Sequence, residues 1–294
     1  MRICPKCSQD FQGPGWRCPG CGHEPTMADG VRLLAGNDWR EAMDFPDSHE
    51  MLSEVEGNSF WFRHRRRVII QAVQRHFPRA GNFLEVGCGN GHVLKGLAQH
   101  FASMPCVGLD LGLEGLLRAR QGLPGVEGVE LVQADARCLP YREEFDLAGA
   151  FDVLEHLEDD RLIIAKLHQA LRQGGGLILT VPQHQWLWSS FDELARHKRR
   201  YNRSGLREKL ERQGFSLVWM GSFMSLVLPA VLASRLKWLL VREEATLERI
   251  RSDLDLGPRL DAILYGICGL EHLCLSRGLA LPFGTSMLCL ARKE

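Results

Sequence analysis

From residue 82 onward the chain alternates short apolar runs with stretches of helical periodicity. Phe83 to Val86 precedes a helical pattern reaching about Phe101, and Cys106 to Leu109 precedes one reaching about Gln121. Val129 to Val132 and Phe145 to Phe151 follow, then a helix from about Asp159 to Arg172, then Leu177 to Val181. Apolar runs separated by helices predict a parallel sheet with crossover helices, a doubly wound α/β domain. A further helix is expected from an N-cap at Ser204 to Gln213, with Gly214 ending it. Phe215 to Met220 then predicts a sixth strand and Ser286 to Ala291 a seventh.

Between those last two strands lies a Leu- and Val-rich insertion, residues 223–283, broken at Pro229 and Pro258. Phe215 to Ser234 is twenty residues without a charge, long enough for a membrane span. Gly221, Ser222, Ser225, Pro229 and Ser234 interrupt it and its first third reads as strand, so core helices are the expectation for the insertion. Upstream, the aromatic cluster Phe60-Trp61-Phe62 and the basic run Arg63 to Arg67 lead into Val68-Ile69-Ile70, an amphipathic helix ended by Pro78 and Gly81. The resulting division is a small module at 1–25, a linker with leading helices at 26–81, and the main domain at 82–294.

Composition changes this picture in two places. Hydrophobic residues are 45% and charged residues 24%, ordinary for a globular chain, and 36 basic side chains balance 36 acidic ones. That balance excludes the global basic field expected of a nucleic-acid binder, so any basic site is local. The opening residues carry no apolar stretch of signal-peptide type, which predicts a cytoplasmic protein. Of ten cysteines, Cys88, Cys106, Cys138, Cys268, Cys274 and Cys289 are scattered and read as small buried hydrophobes. The other four sit in a segment too poor in aliphatics to hold itself together by packing. Cys4-Pro-Lys-Cys7 and Cys18-Pro-Gly-Cys21 are two knuckles ten residues apart. Each suits one face of a tetrahedral Zn²⁺, and together they make a closed, structural Cys4 site resembling a zinc ribbon. Two disulfides or a redox pair are the alternatives, and His23 is a spare ligand candidate.

Phe83-Leu84-Glu85-Val86-Gly87-Cys88-Gly89-Asn90-Gly91 turns a buried strand into a helix through three glycines. Asp110 ends the next strand 19 residues after Gly91, where a carboxylate can take ribose hydroxyls. His92 stands where a dinucleotide fingerprint would carry its third glycine, which points to a different nucleoside. This ordered set resembles the class I S-adenosylmethionine-dependent methyltransferases. The resemblance continues through Ala134-Asp135-Ala136, Phe145-Asp146-Leu147, Asp152-Val153-Leu154-Glu155-His156-Leu157 and Gly174-Gly175-Gly176-Leu177, covering about 82–222 and the last strand. It implies a Rossmann-like, seven-stranded, mostly parallel sheet with an antiparallel last strand. It further implies that Glu85, Gly87, Cys88, Gly89 and Gly91 hold the methionine end of S-adenosyl-L-methionine, and Asp110 with Leu111 the ribose. Asp135 with Ala136 would take the adenine edge, and Phe151 with Asp152 the pocket floor beside the sulfonium.

For the acceptor, His156 and His197 are the candidate bases, because an acceptor hydroxyl must lose a proton. The runs Arg63 to Arg67 and Arg196 to Arg203 would attract an anionic acceptor if both lie near the strand ends. The insertion's Arg235, Lys237, Trp238 and Arg242 suggest peripheral membrane contact through 223–242 and a lipid-linked or small-molecule acceptor, methylated at oxygen. Two other readings stay open: an RNA or protein methyltransferase recruiting substrate through the zinc module, and a non-catalytic binding protein on the same fold.

Overall fold

A computed structural model describes residues 1–13, 15–34, 56–233 and 256–294. Alternation of side chains across each strand sends two apolar sets to opposite faces of one sheet. Leu84, Val86, Ala148, Ala150, Leu177 and Leu179 join one core, while Phe83, Leu147, Ile178, Leu288 and Leu290 join the other. The central strands are β5 (Phe83–Val86), β6 (Cys106–Asp110), β7 (Val129–Gln133), β8 (Phe145–Phe151) and β9 (Leu171–Pro182). They run parallel, with Phe83 level with both Cys106 and Leu147, and Cys106 level with Val129.

The crossovers are α1 (Phe60–His76, ahead of β5), α2 (His92–His100), α3 (Leu113–Gln121) and α4 (Asp160–Ala170). Beyond β9 come the short α5 (Ser190–Leu194), α6 (Arg203–Glu211) and β10 (Phe215–Phe223), then α7 (Gly257–Ser276) and β11 (Ser286–Lys293). β11 inserts between β9 and β10 and is antiparallel to both, so the expected seven-stranded order with a reversed last strand is present as β10-β11-β9-β8-β5-β6-β7. The α6 cap sits two residues earlier than expected. Asn202 accepts the Gly205 amide at 2.7 Å, while Ser204 only hydrogen-bonds Asn202. β9 likewise starts earlier than Leu177, because Leu171 reaches Phe145 before the Gly174 to Gly176 turn resets the register.

Two additions extend this frame. A hairpin of β3 (Met27–Ala28) and β4 (Val31–Leu33) joins the sheet edge, β4 pairing parallel with β7, and makes it nine-stranded. Residues 27–28 and 31–33 of the linker therefore lie at the sheet edge. Ahead of it, β1 (Arg2–Ile3) and β2 (Asp10–Phe11) form a separate hairpin in the cysteine module. That module docks at the starts of β7 and β8: the Ile3 amide donates to Pro140 at 2.8 Å and Trp16 Nε1 to Glu130 at 2.8 Å. Trp16 also meets the Tyr141 ring edge-on at 5.7 Å, and Cys4, Phe11 and Cys18 join the same core.

In the insertion, α7 packs on α1. His64 and Glu271 meet there at 3.0 Å, both buried, and Glu271 also accepts the Met224, Ser225 and Leu226 amides. Arg235, Lys237, Trp238 and Arg242 lie outside the described residues. Among the described residues no helix is long and apolar enough to cross a membrane.

Candidate functional site

The loop from β5 to α2 carries its three glycines at positive φ. A Cβ on Gly87 would sit 2.4 Å from Val153 Cγ2, so the loop is pressed against the β8 exit, whereas a Cβ on Gly89 would meet nothing within 4 Å. Gly89 thus offers bare backbone to open space, as close approach by a ligand requires. Asp110 ties this loop to the next: one carboxylate oxygen accepts the Gly89 amide and the other the Gly112 amide, each at 2.8 Å. Leu111 follows Asp110 and its carbonyl accepts Gln133 Nε2 at 3.2 Å. Cys88 is buried behind the loop, its amide bonded to the Leu109 carbonyl, and burial pushes its thiol well up, as an inert packing residue should be.

Glu85, two residues ahead of Gly87, is 2% exposed and its Oε2 has no partner. Burial pushes this carboxyl well above its usual range; Arg65 opposes that, while Glu56 and Asp110 add to it. Arg65 comes from α1, is itself buried, and pairs with Asp152. Asp152 holds a positive φ of 56°, its amide bonded to the Thr180 carbonyl and its carboxylate accepting Thr180 Oγ1 at 3.1 Å. Such a conformation in a non-glycine residue costs about 1–3 kcal/mol and persists only where its surroundings enforce it. Phe151 beside it stacks on Phe83, centroids 6.5 Å apart. Asp135 caps the turn Ala136–Cys138 through the Arg137 amide. Burial works against its ionisation, but the Arg137 side chain and amide outweigh that and hold the carboxyl low.

Glu56 completes the rim: Asn90 Nδ2 donates to it at 3.2 Å and His92 Nε2 lies 3.7 Å away. Sequence reasoning did not single out Glu56, and it saw Arg65 only within a basic run. Their partners lie tens of residues downstream, so no local spacing marks them.

The structure brings His156 and His197, the candidate bases, together, ring centroids 4.8 Å apart. His156 ends the short 3-10 turn Leu154–His156, and His197 follows α5. His197 Nδ1 lies 2.9 Å from Asp192, which is buried, also paired with Arg200 at 2.7 Å, and held down to about 2 by these partners against the upward pull of burial. Glu155 lies next to both imidazoles, fully buried, with neither carboxylate oxygen bonded. The basic runs are largely spent within the chain: Arg63 pairs with Asp261, Arg65 with Asp152, Lys198 with Glu158 and Arg199 with Asp160. Little unpaired positive charge from these four is left for an anionic acceptor.

At the other end of the sheet, Cys4 and Cys21 sulfurs lie 3.6 Å apart, as do those of Cys7 and Cys18, and all four fall in one cluster. That spacing exceeds the disulfide length of about 2.05 Å. It matches the roughly 3.8 Å edge of a tetrahedron with Zn–S bonds of about 2.3 Å. His23 is not part of this cluster among the described residues. A cleft of about 390 Å³, lined by Arg2, Pro105, Val129, Glu130, Tyr141 and Glu144, lies beneath the strand starts.

The fold is a doubly wound α/β domain in which an open glycine loop, Asp110 and the buried acids Glu85 and Glu155 lie at the strand ends. The model of the methyltransferase domain family matches residues 61–219, over half the chain. The chain belongs to this family, the class I S-adenosylmethionine-dependent methyltransferases. It is 29% identical over 158 residues to the malonyl-[acyl-carrier protein] O-methyltransferase of Methylococcus capsulatus, covering 51% of this chain and 57% of that one. It is 26% identical over 170 residues to the ubiquinone biosynthesis O-methyltransferase of Psychrobacter cryohalolentis, covering 53% and 63%. The chain thus spans about three fifths of the length of these relatives. Among solved structures, phosphoethanolamine N-methyltransferase 2 of Haemonchus contortus with S-adenosyl-L-methionine superposes with TM-score 0.58 at 17% identity, covering 88% of this chain and 61% of that one. The [4+2]-cyclase SpnF superposes at 0.56 with 18% identity, covering 86% and 94%. Both show the fold alone.

Proposed function

We propose that this protein transfers a methyl group from S-adenosyl-L-methionine to an oxygen of a small-molecule or lipid-linked acceptor. The observation that carries it is Glu85, a buried carboxylate with an unpartnered oxygen beside an open glycine loop, in a chain of this family. An uncompensated buried acid is costly unless something cationic completes it, and a sulfonium amino acid does. When bound, the donor supplies an electrophilic methyl on a positively charged sulfur. Glu85 and the Gly87 to Gly91 loop hold its amino-acid end, Asp110 and Leu111 the ribose, and Asp135 with Ala136 the base. Phe151 and Asp152 form the floor, with Arg65 fixing the Asp152 carboxylate. An acceptor oxygen taking that methyl would release the donor as its neutral thioether and would pass its hydroxyl proton to an imidazole. His156 and His197, the latter held by Asp192, act on that hydroxyl.

The relatives' names support an oxygen acceptor of small-molecule or carrier-linked type. A lipid-linked acceptor at an anionic membrane surface is supported by α7, which exposes Leu260, Ile263, Leu270 and Leu273, with Phe283 beyond it. Zinc in the Cys4 cluster plays a structural part, because the module docks at the strand starts while the glycine loop lies at the strand ends. That placement also disfavours substrate recruitment by the module.

The deciding experiment incubates the protein and methyl-labelled donor with cell extract, using Asp110→Ala as the blank, and separates lipid, small-molecule, RNA and protein fractions. Label in lipid or small molecules is expected. Label in RNA or protein alone overturns the acceptor class, and failure of the wild type to bind donor in calorimetry overturns the activity. Cosedimentation with anionic vesicles tests the membrane surface; full recovery in the supernatant rejects it.

A further inference from the structure

Glu155 presents a problem that the methyl-transfer site leaves unsolved. Its side chain is fully buried and both carboxylate oxygens lack a hydrogen-bond partner. An ionised carboxylate there lacks a counter-ion contact, and a protonated one still leaves a hydroxyl with nothing to donate to. Buried carboxylates resolve this by pairing or by coordinating a metal. Arg65 and Arg200 act on it only through space, each being paired with another acid, Arg65 with Asp152 and Arg200 with Asp192. Two imidazoles stand nearer its oxygens: the ligand atoms of Glu155, His156 and His197 all lie within 4.8 Å of one another.

From this geometry we infer that Glu155, His156 and His197 form a divalent-cation site within the acceptor pocket, a two-histidine, one-carboxylate set. The inference rests on the methyltransferase reading for its use, not for its existence. Adjacent ligands about 2.1 Å from a metal stand roughly 3 Å apart, so binding would draw the three atoms together from a spacing that is at most 4.8 Å. His197 is already oriented for this. Its Nδ1 faces the Asp192 carboxylate at 2.9 Å, and a carboxylate only accepts, so Nδ1 donates and Nε2 carries the lone pair. Asp152, the other nearby acid, is taken by Arg65 and Thr180 and is not a ligand. Nitrogen and oxygen donors of this kind suit Mn²⁺, Fe²⁺ or Zn²⁺, and three protein ligands leave open positions.

An acceptor hydroxyl entering such a position would lose its proton to solvent more readily and keep a lone pair for the methyl carbon. An amine would instead have its single lone pair blocked by the metal. The site therefore selects oxygen acceptors, and it makes the two histidines ligands in place of proton acceptors.

The test uses full-length protein with its cysteine module zinc-loaded. Mn²⁺ is titrated while electron paramagnetic resonance follows the free aqua ion. One Mn²⁺ per chain is expected, with affinity at least tenfold weaker in Glu155→Gln. Asp192→Asn, which reaches the site through His197 and also weakens the Arg200 pair, is expected to weaken it 10- to 100-fold. An undiminished free-ion signal in the wild type, or equal affinity in Glu155→Gln, overturns the site. Donor calorimetry without Mn²⁺ shows whether the variant is folded. If it is not, paramagnetic broadening in the wild type decides: imidazole signals of His156 and His197 are expected to broaden first, and uniform or absent broadening overturns the site. Failure of the wild type to bind donor would reject the methyltransferase reading while leaving the Mn²⁺ result to stand alone.

Discussion

Glu85 is kept at a cost to the fold, and that makes it the sharpest residue to change. Burial raises its carboxyl, with Arg65 opposing and Glu56 and Asp110 reinforcing the shift. The group's contribution to stability is therefore present below the ordinary value of 4.5 and lost as pH rises through the raised value. Binding a cationic donor needs the ionised form, so donor affinity should improve with pH over that same window. Glu85→Gln removes the buried charge. At pH values above the raised one it should increase the melting temperature of the donor-free protein by a few degrees, at about 2–4 °C per kcal/mol for a domain of this size. It should also weaken donor binding by about tenfold or more, the equivalent of about 1.4 kcal/mol, and flatten the pH dependence. Calorimetry and thermal unfolding at several pH values check all three, and a variant that is less stable yet binds normally would remove Glu85 from the site. Asp110→Ala differs in kind: it frees the Gly89 and Gly112 amides and should lower both donor affinity and stability. At this scale the sequence was legible where spacing is local. Glu85, the glycines and Asp110 fall within one strand–turn–helix unit and the strand after it. Arg65, which reaches Asp152, and Glu56, which reaches Asn90 and His92, announce nothing, because each needs the folded chain to meet its partner.

Among the elements, the pairing of α7 with α1 connects the insertion to the site, since α1 also carries Arg65. Glu271 is the anchor, gathering His64 and three backbone amides in the interior. Burial pulls its carboxyl up, but His64 and the Leu226 and Ser225 amides outweigh it and leave the group low. The anchor thus contributes fully above the ordinary glutamate value of 4.5 and fades as pH falls through the lowered one. Glu271→Ala leaves His64 and the amides buried without their acceptor, at a cost of about 3 kcal/mol. It should also make α7 the first segment to gain hydrogen exchange; unchanged exchange there would mean that apolar packing alone holds the helix. The seven strands of the main sheet were readable because each is a distinct apolar run. The β3–β4 hairpin was not, since two or three residues at an edge carry too little pattern. The true cap of α6 was missed because Asn202 and Ser204 are both good capping residues, and only geometry separates them.

Over the whole molecule, the two ends of the sheet divide the labour. Strand ends carry the glycine loop, Asp110, Asp152 and the histidine cluster, whereas strand starts carry the cysteine module, held by Trp16 on Glu130 and Tyr141 and by the Ile3 amide on Pro140. Motif spacing proposed the Cys4 site, yet nothing in the sequence could say which end of the sheet it would meet, because docking depends on Tyr141 and Glu130, more than a hundred residues away. If the metal there is structural, its removal unfolds a module that is too small to persist without it. Phe11 and Trp16 then leave the core they share with Tyr141 and Phe145. Chelation of the bound zinc should therefore lower the melting temperature by about 5 °C or more, taking about 2–4 °C per kcal/mol of lost docking. Donor affinity should stay within about twofold, because none of the residues proposed to hold the donor lies on the docked face. Measuring both on one chelated sample separates the alternatives: a collapse of donor binding at temperatures where the main domain remains folded would mean that the module reaches the site, and would reopen a part for it in binding substrate.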